Sequence, residues 1–356
     1  MSSIKSRFLE KVSKLIFLEF KKESILNIFQ VEATENIFLP VRPFRVIDKV
    51  QKNDMMEKIP VSFFIEGMFF VLGADENFKY NSIYRKLIET RKDEATHYIK
   101  GIVFDEVKNN SYEDSYILLK GLLNFEKNEE IFEKIFILLE SLSQKDKNIQ
   151  EEQLEIIKKA KQVKGYNKPY LYEAIIYYNS KKYKEADICL TKYIEVTDDN
   201  GKEIIELKKN ITNVLNYEKG IELVKENPEE SLKYLIPLLD DFDDDAILKF
   251  NIAVSYRKLG LYEKAIYYLN EALSIDSSLV EIVNELGINY ASLNDFESAI
   301  KYLRKAFEAT KSIEICTNLI MCYFNNGDYN AAKLHYEIAK KIDPKDEIVL
   351  KLKDAF

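Results

Sequence analysis

NIAVSYRKLGLYEKAIYYLNEALSIDSSL (251–279), ELGINYASLNDFESAIKYLRKAFEATKS (285–312) and NLIMCYFNNGDYNAAKLHYEIAKKIDPKD (318–346) align almost without gaps. Tyr262, Phe296 and Tyr329 lie 34 and 33 residues apart. Tyr256, Tyr290 and Tyr323 stand six residues upstream of them, and Ala265, Ala299 and Ala332 three downstream; Ala272, Ala306 and Ala339 follow seven residues later. A fixed period of this length marks stacked repeats rather than one globular core. In the first copy Ile252, Ala253, Tyr256 and Leu259 form an apolar stripe at helical spacing, and Ala265, Ile266, Leu269, Ala272 and Leu273 form a second. Between them stands Gly260, matched by Asn294 and Gly327, residues that tolerate the left-handed backbone of a tight helix end. Each copy is therefore expected to be a helix, a turn and an antiparallel helix. Small alanines let two helix axes approach, and the large ring fills the neighbouring hole. One hairpin cannot bury enough surface alone, so the copies must stack.

Copies 246–279, 280–312 and 313–346 resemble tetratricopeptide repeats. The second carries Leu286, Gly287 and Tyr290, then Phe296, Ala299, Leu303 and Ala306; the third carries Leu319, Tyr323, Tyr329, Ala332, Tyr336, Ala339 and Asp343-Pro344. Lys249, Cys316 and Ile320 depart from the family pattern. The resemblance implies an all-α, right-handed superhelical solenoid of helix-turn-helix repeats with an N-terminal, mostly helical extension.

Hydrophobic residues at 46%, charged ones at 31% and few Gly and Pro also favour an all-helical protein. A net charge of −8 argues against general binding to nucleic acid or an anionic membrane. Cys189, Cys316 and Cys322 form no CxxC and no disulfide framework. The apolar runs Ile16–Phe20 and Val61–Gly73 are too short to span a bilayer, and Glu66 interrupts the second. The expected location is cytoplasmic.

Three regions are expected. Residues 1–92 form a cap or small domain without a repeat phase, 93–245 hold degenerate repeats, and 246–356 hold three well-formed repeats and a capping helix. Residues 1–30 read as one or two amphipathic helices, with Phe8, Val12, Leu15, Ile16, Phe20 and Leu26 buried. Asn36–Ile47 reads as an extended connection with a short strand. A helix runs from Pro60 to Leu72, closed by Gly73, and Phe63, Phe64, Phe69 and Phe70 place it between neighbours. Residues 167–200 match the repeat best outside the three copies. A charged helix ends near Val214, and Pro228 opens the second helix of another hairpin, with Ser231 in the small position.

No catalytic, cofactor or metal site is expected. His97 and His335 stand in no constellation, and no GxSxG, HExxH, GxGxxG or phosphate-loop pattern occurs. Asp240–Asp245 lacks the glycine and carboxylate spacing of a calcium loop and reads as a cap for the helix beginning at Ala246. What remains is a surface. By the family resemblance the first helices line a concave face, which assigns Phe250, Asn251, Val254, Arg257 and Lys258 from copy one to a peptide-binding groove. Copy two adds Glu281, Asn284, Glu285, Ile288 and Asn289. Copy three adds Glu314, Thr317, Asn318, Met321, Phe324 and Asn325. Asparagine can serve a peptide backbone as donor and acceptor, and the apolar members offer pockets between. Three glutamates oppose a carboxylate-bearing partner, so a neutral or basic peptide is expected. The leading reading is a non-enzymatic interaction scaffold. A regulatory sensor whose superhelix changes pitch is the alternative, and an enzyme using the N-terminal region is the remote one.

Overall fold

A computed structural model describes residues 4–51, 59–144 and 146–354. The chain divides into two compact units, residues 1–200 and 201–356. The expected boundaries at 92 and 245 lie within these units.

Unit one opens with α1 (Ile4–Ser13), β1 (Ile16–Phe20), α2 (Lys22–Phe29), β2 (Ile37–Val41) and α3 (Pro43–Gln51). It continues through α4 (Val61–Ala74), α5 (Asn81–Glu89), α6 (Lys92–Lys108), α7 (Tyr112–Leu122), α8 (Glu129–Ser143), α9 (Gln150–Ala160), α10 (Lys168–Asn179) and α11 (Tyr183–Thr197). One hydrophobic core runs from Ile4 to Tyr166, with α4 against α7, α1, α6 and β2. As its rings on several sides required, α4 buries Phe64, Phe69 and Phe70. Gly73 does not end this helix; it lies inside it, where a Cβ would sit 1.8 Å from the Ile117 carbonyl oxygen of α7. The glycine serves a close helix crossing.

The apolar run Ile16–Phe20 is a strand rather than helix, paired antiparallel with β2 in the register Ile16↔Val41, Leu18↔Leu39, Phe20↔Ile37. Five apolar-rich residues carry no periodicity that separates the two conformations. Phe8, Val12 and Leu15 are buried as expected, but Ile16 is 39% and Leu26 46% exposed, and Phe20 is half-buried. Ile25 and Phe29 take the buried face of α2 instead. Residues 1–3 lie outside the described residues. The extended segment expected to Ile47 stops at Val41, because Pro43 starts α3.

Four charged side chains, Arg42, Glu66, Lys120 and Glu152, are buried in this unit among the described residues. Arg42 donates to Glu66 (2.9 Å), Glu106 (2.7 Å) and Asp114, and its guanidinium lies over the rings of Phe44 and Phe70. Glu66, in the middle of apolar α4, is also held by Arg45 at 2.8 Å. Glu152 accepts from Tyr116 (2.5 Å) and Lys120 (2.7 Å) on one oxygen, Oε1, while Oε2 is buried with no hydrogen-bond partner among the described residues. Burial, and then this carboxylate, hold the Tyr116 phenol well above its ordinary range.

Unit two is a superhelical solenoid of antiparallel helix pairs: α12 (Lys202–Leu223) with α13 (Pro228–Leu235), α14 (Ala246–Lys258) with α15 (Tyr262–Ile275), α16 (Val280–Ser292) with α17 (Phe296–Thr310), and α18 (Ile313–Asn325) with α19 (Tyr329–Ile342). The short α20 (Glu347–Lys351) follows. The closing helix expected from Glu347 gives way to a single tight turn ending at Asp354, and 355–356 lie outside the described residues. The charged helix expected to stop near Val214 continues to Leu223, since no Gly or Pro interrupts it before Gly220. Ser231 is fully buried and donates to the Gly220 carbonyl at 2.8 Å, confirming its small-residue role.

The repeat chemistry follows the spacing. Gly260, Asn294 and Gly327 have φ of 74°, 63° and 80°, and all six repeat alanines are buried. Asp245 caps α14, accepting from Ile247 N–H and Leu248 N–H at 2.8 and 2.9 Å. Each copy packs a first-helix tyrosine against a second-helix ring: Tyr256 stacks on Tyr268 and Tyr290 on Tyr302, and Tyr323 lies tilted by 33° against His335. His335 is thus the third member of a packing series.

Candidate functional site

Successive first helices touch each other, α14 with α16 and α16 with α18, in addition to packing on their own partners. That shorter spacing puts the first helices on the inner side of the stack, and their outward side chains form one continuous face.

The sixteen expected residues divide by burial. Asn289 is fully buried and Thr317 nearly so, so neither can meet a peptide. Asn289 donates to the Glu285 carbonyl at 2.8 Å, Thr317 to the Glu314 carbonyl at 2.8 Å. The Asn289 and Asn284 side-chain oxygens are buried with no hydrogen-bond partner among the described residues. Phe250 and Val254 are half-buried and pack into the cores of neighbouring helices. Asn251 and Asn325 turn their amides back onto the carbonyls of Ile247 and Met321, each at 2.8 Å. Those side-chain carbonyls remain available as acceptors.

Charge is arranged across copies. Arg257 of copy one grips Glu285 of copy two through Nε at 2.6 Å and Nη2 at 3.3 Å. Burial pushes the Glu285 carboxyl up, against the pull of Arg257. Of the three glutamates, Glu281 and Glu314 alone are exposed, and Lys258 is exposed beside them. The repulsion foreseen from three glutamates reduces to these two.

Ile288, Asn318, Met321 and Asn325 converge on a cleft of about 260 Å³ between α16 and α18. Ala291, Phe296 and Leu303 complete its apolar walls, and Ser292 and Cys322 border it. Met321 is 44% exposed, and Phe324, with its ring edge-on to Tyr329 at 5.2 Å, is 39% exposed. The sequence reading took Phe296 and Leu303 only as stacking residues and did not single out Ala291. A wall residue at the joint between two copies serves both purposes.

The thiols show no reactive environment. Burial pushes Cys316 and Cys322 up to about 11, and burial with a hydrogen bond to Glu173 pushes Cys189 up to about 12. Among the described residues no helix is long and apolar enough to cross a membrane.

A stack of antiparallel helix pairs, the second helix of each packed on the first helix of the next, defines a helical-repeat protein. Tetratricopeptide repeat models match residues 244–312 and 313–346, so this chain is a tetratricopeptide-repeat protein over that region. Repeats of this kind are protein-interaction modules, and the chain is a protein-interaction scaffold in that general sense. Among solved structures, a MamA protein (AMB-1) shares 20% identity over 41% of this chain and 89% of its own, with a TM-score of 0.36. PilW, described as a widely conserved type IV pilus biogenesis factor, shares 16% over 72% of this chain and 97% of its own, TM-score 0.37. A thermophilic repeat protein of Thermus thermophilus shares 19% over 53% and 98%, TM-score 0.32. None of the curated proteins matches the chain.

Proposed function

We propose that the chain is a non-enzymatic scaffold that binds an extended segment of a partner protein along the first-helix face of residues 246–346. One apolar side chain of that segment enters the cleft between copies two and three. The convergence of Ile288, Asn318, Met321 and Asn325 on one apolar cleft carries this reading. Exposed Glu281 and Glu314 favour a neutral or basic segment. We place the protein in the cytoplasm, in keeping with three cysteines that form no disulfide.

Affinity capture from the native cell with the full chain tests this. The double variant Asn318→Ala, Met321→Ala is expected to lose a captured partner by about tenfold or more, the loss of roughly 1.4 kcal/mol. Asn289→Ser, altering a buried side chain, should retain it. If the double variant captures every partner as the natural chain does, the cleft is not the binding site.

A further inference from the structure

The two-stranded sheet of unit one has one sealed edge and one open edge. On β2 the Phe38 carbonyl accepts from the Tyr84 hydroxyl at 2.5 Å. Pro40 has no N–H, and its carbonyl oxygen lies so close to Gly67 of α4 that a Cβ there would sit 2.0 Å from it. In an antiparallel pair the N–H and C=O of one residue point the same way, and the direction alternates along the strand. Phe38 and Pro40 therefore face away from β1, while Ile37, Leu39 and Val41 face it. Their register partners are Phe20, Leu18 and Ile16. It follows that the backbone N–H and C=O of Phe17 and Glu19 point away from β2. No third strand joins the sheet, and no hydrogen bond to these backbone groups is present among the described residues.

We infer that the outer edge of β1 is a strand-addition site for an extended apolar segment of another protein, led by carboxylates at the end beside Lys21 and Lys22. Only an extended backbone matches alternating donors and acceptors at this spacing. Ile16 is exposed, and Phe17, Leu18 and Phe20 are half-buried, so the edge offers apolar surface on both faces. Glu19 is its one charge and is held by the Asn36 amide at 2.9 Å. Lys21 and Lys22 are exposed and form no ion pair among the described residues, whereas Lys14 is bound to Glu10 at 2.6 Å. An antiparallel added strand begins beside Lys21, which puts the complementary carboxylates ahead of its apolar run. A second copy of β1 fits less well. Paired about Leu18, it would set Lys14 against Lys22 and Phe17 against Glu19.

The probe is a synthetic peptide of two aspartates followed by alternating valine and threonine, measured against the full chain by fluorescence anisotropy. Glu19→Pro deletes one outward N–H without touching the β1–β2 ladder, while Glu19→Ala removes the same side chain and keeps the N–H. The natural chain and Glu19→Ala should bind the peptide, and Glu19→Pro should bind about tenfold or more weakly. A peptide led by two lysines, and one methylated at alternate amides, should likewise lose about tenfold. The amides of Phe17 and Glu19 should exchange slowly with solvent only when the peptide is bound. The methylated peptide keeps the test sound even if Glu19→Pro misfolds, because it leaves the protein unchanged. Four results would overturn the inference: no saturable binding, equal binding of the methylated peptide, full protection of both amides in the free chain, or a concentration-dependent dimer of the natural chain that Glu19→Pro abolishes. The last would assign the edge to a second copy. Asn318→Ala, Met321→Ala in the other unit should leave peptide binding at this edge unaltered, which separates this result from the groove reading.

Discussion

Lys120→Met is expected to destabilise unit one by about 3–5 kcal/mol, the cost of leaving a buried charge without its counter-ion. The ammonium of Lys120 lies 2.7 Å from Glu152, whose side chain is completely buried and Lys120 nearly so. Among the described residues Tyr116 would remain as the one donor to that carboxylate, and a neutral phenol cannot replace a cation in an apolar interior. The partner experiment is Lys120→Met with Glu152→Met. Removing both charges leaves apolar side chains of similar length, and such exchanges are often neutral or favourable. The double variant should therefore recover part of the loss and remove the unpaired Oε2, while the buried Tyr116 hydroxyl, left without its acceptor, keeps a residual cost of about 1–3 kcal/mol. The two compact units need not unfold together, so the readout should be local, such as amide exchange in α7 and α9 under increasing urea. A loss below about 1 kcal/mol for the single variant would show that water already solvates this carboxylate.

Gly73→Ala and Gly101→Ala should change stability in opposite directions although both glycines lie inside helices. A Cβ at Gly73 would meet the Ile117 carbonyl oxygen at 1.8 Å and the Gly121 nitrogen at 2.7 Å, both backbone atoms that no rotamer change can move. Separating α4 from α7 would open the core around Phe69 and Phe70, at a cost of about 1–3 kcal/mol or more for overpacking. The better helix propensity of alanine offsets about 1 kcal/mol of this. At Gly101, in α6, an added methyl would meet nothing within 4 Å, so the propensity term acts alone and stabilises by about 0.5–1 kcal/mol. Thermal melts of both variants check the pair; a stabilised Gly73→Ala would mean that α4 and α7 slide apart freely.

How much was legible follows from how local the signal is. Turn glycines, buried alanines and ring positions of residues 246–346 are set within one hairpin, so spacing alone locates them. The Arg257–Glu285 pair was half visible: both residues were assigned to the same face, but only the fold shows that one neutralises the other. Asn289 shows the opposite limit. It stands one position from Ile288 on α16, and one helical step turns a side chain from the cleft rim into the joint between helices. Unit one was least legible because its decisive contacts are distant in sequence. Arg42 meets Glu66, Glu106 and Asp114 across three helices, and no periodic pattern announces such a meeting. The one local hint was Glu66 itself, a carboxylate amid aromatic residues that requires a cation. Gly73 misled for a related reason: a glycine that ends a helix and one that admits another backbone look the same in sequence.

The cleft between α16 and α18 belongs half to copy two and half to copy three. In a linear stack each repeat is stabilised by the neighbours it touches. On the function proposed above, a segment seated across that joint needs both copies docked, so its binding energy would act as a clamp that couples the two repeats.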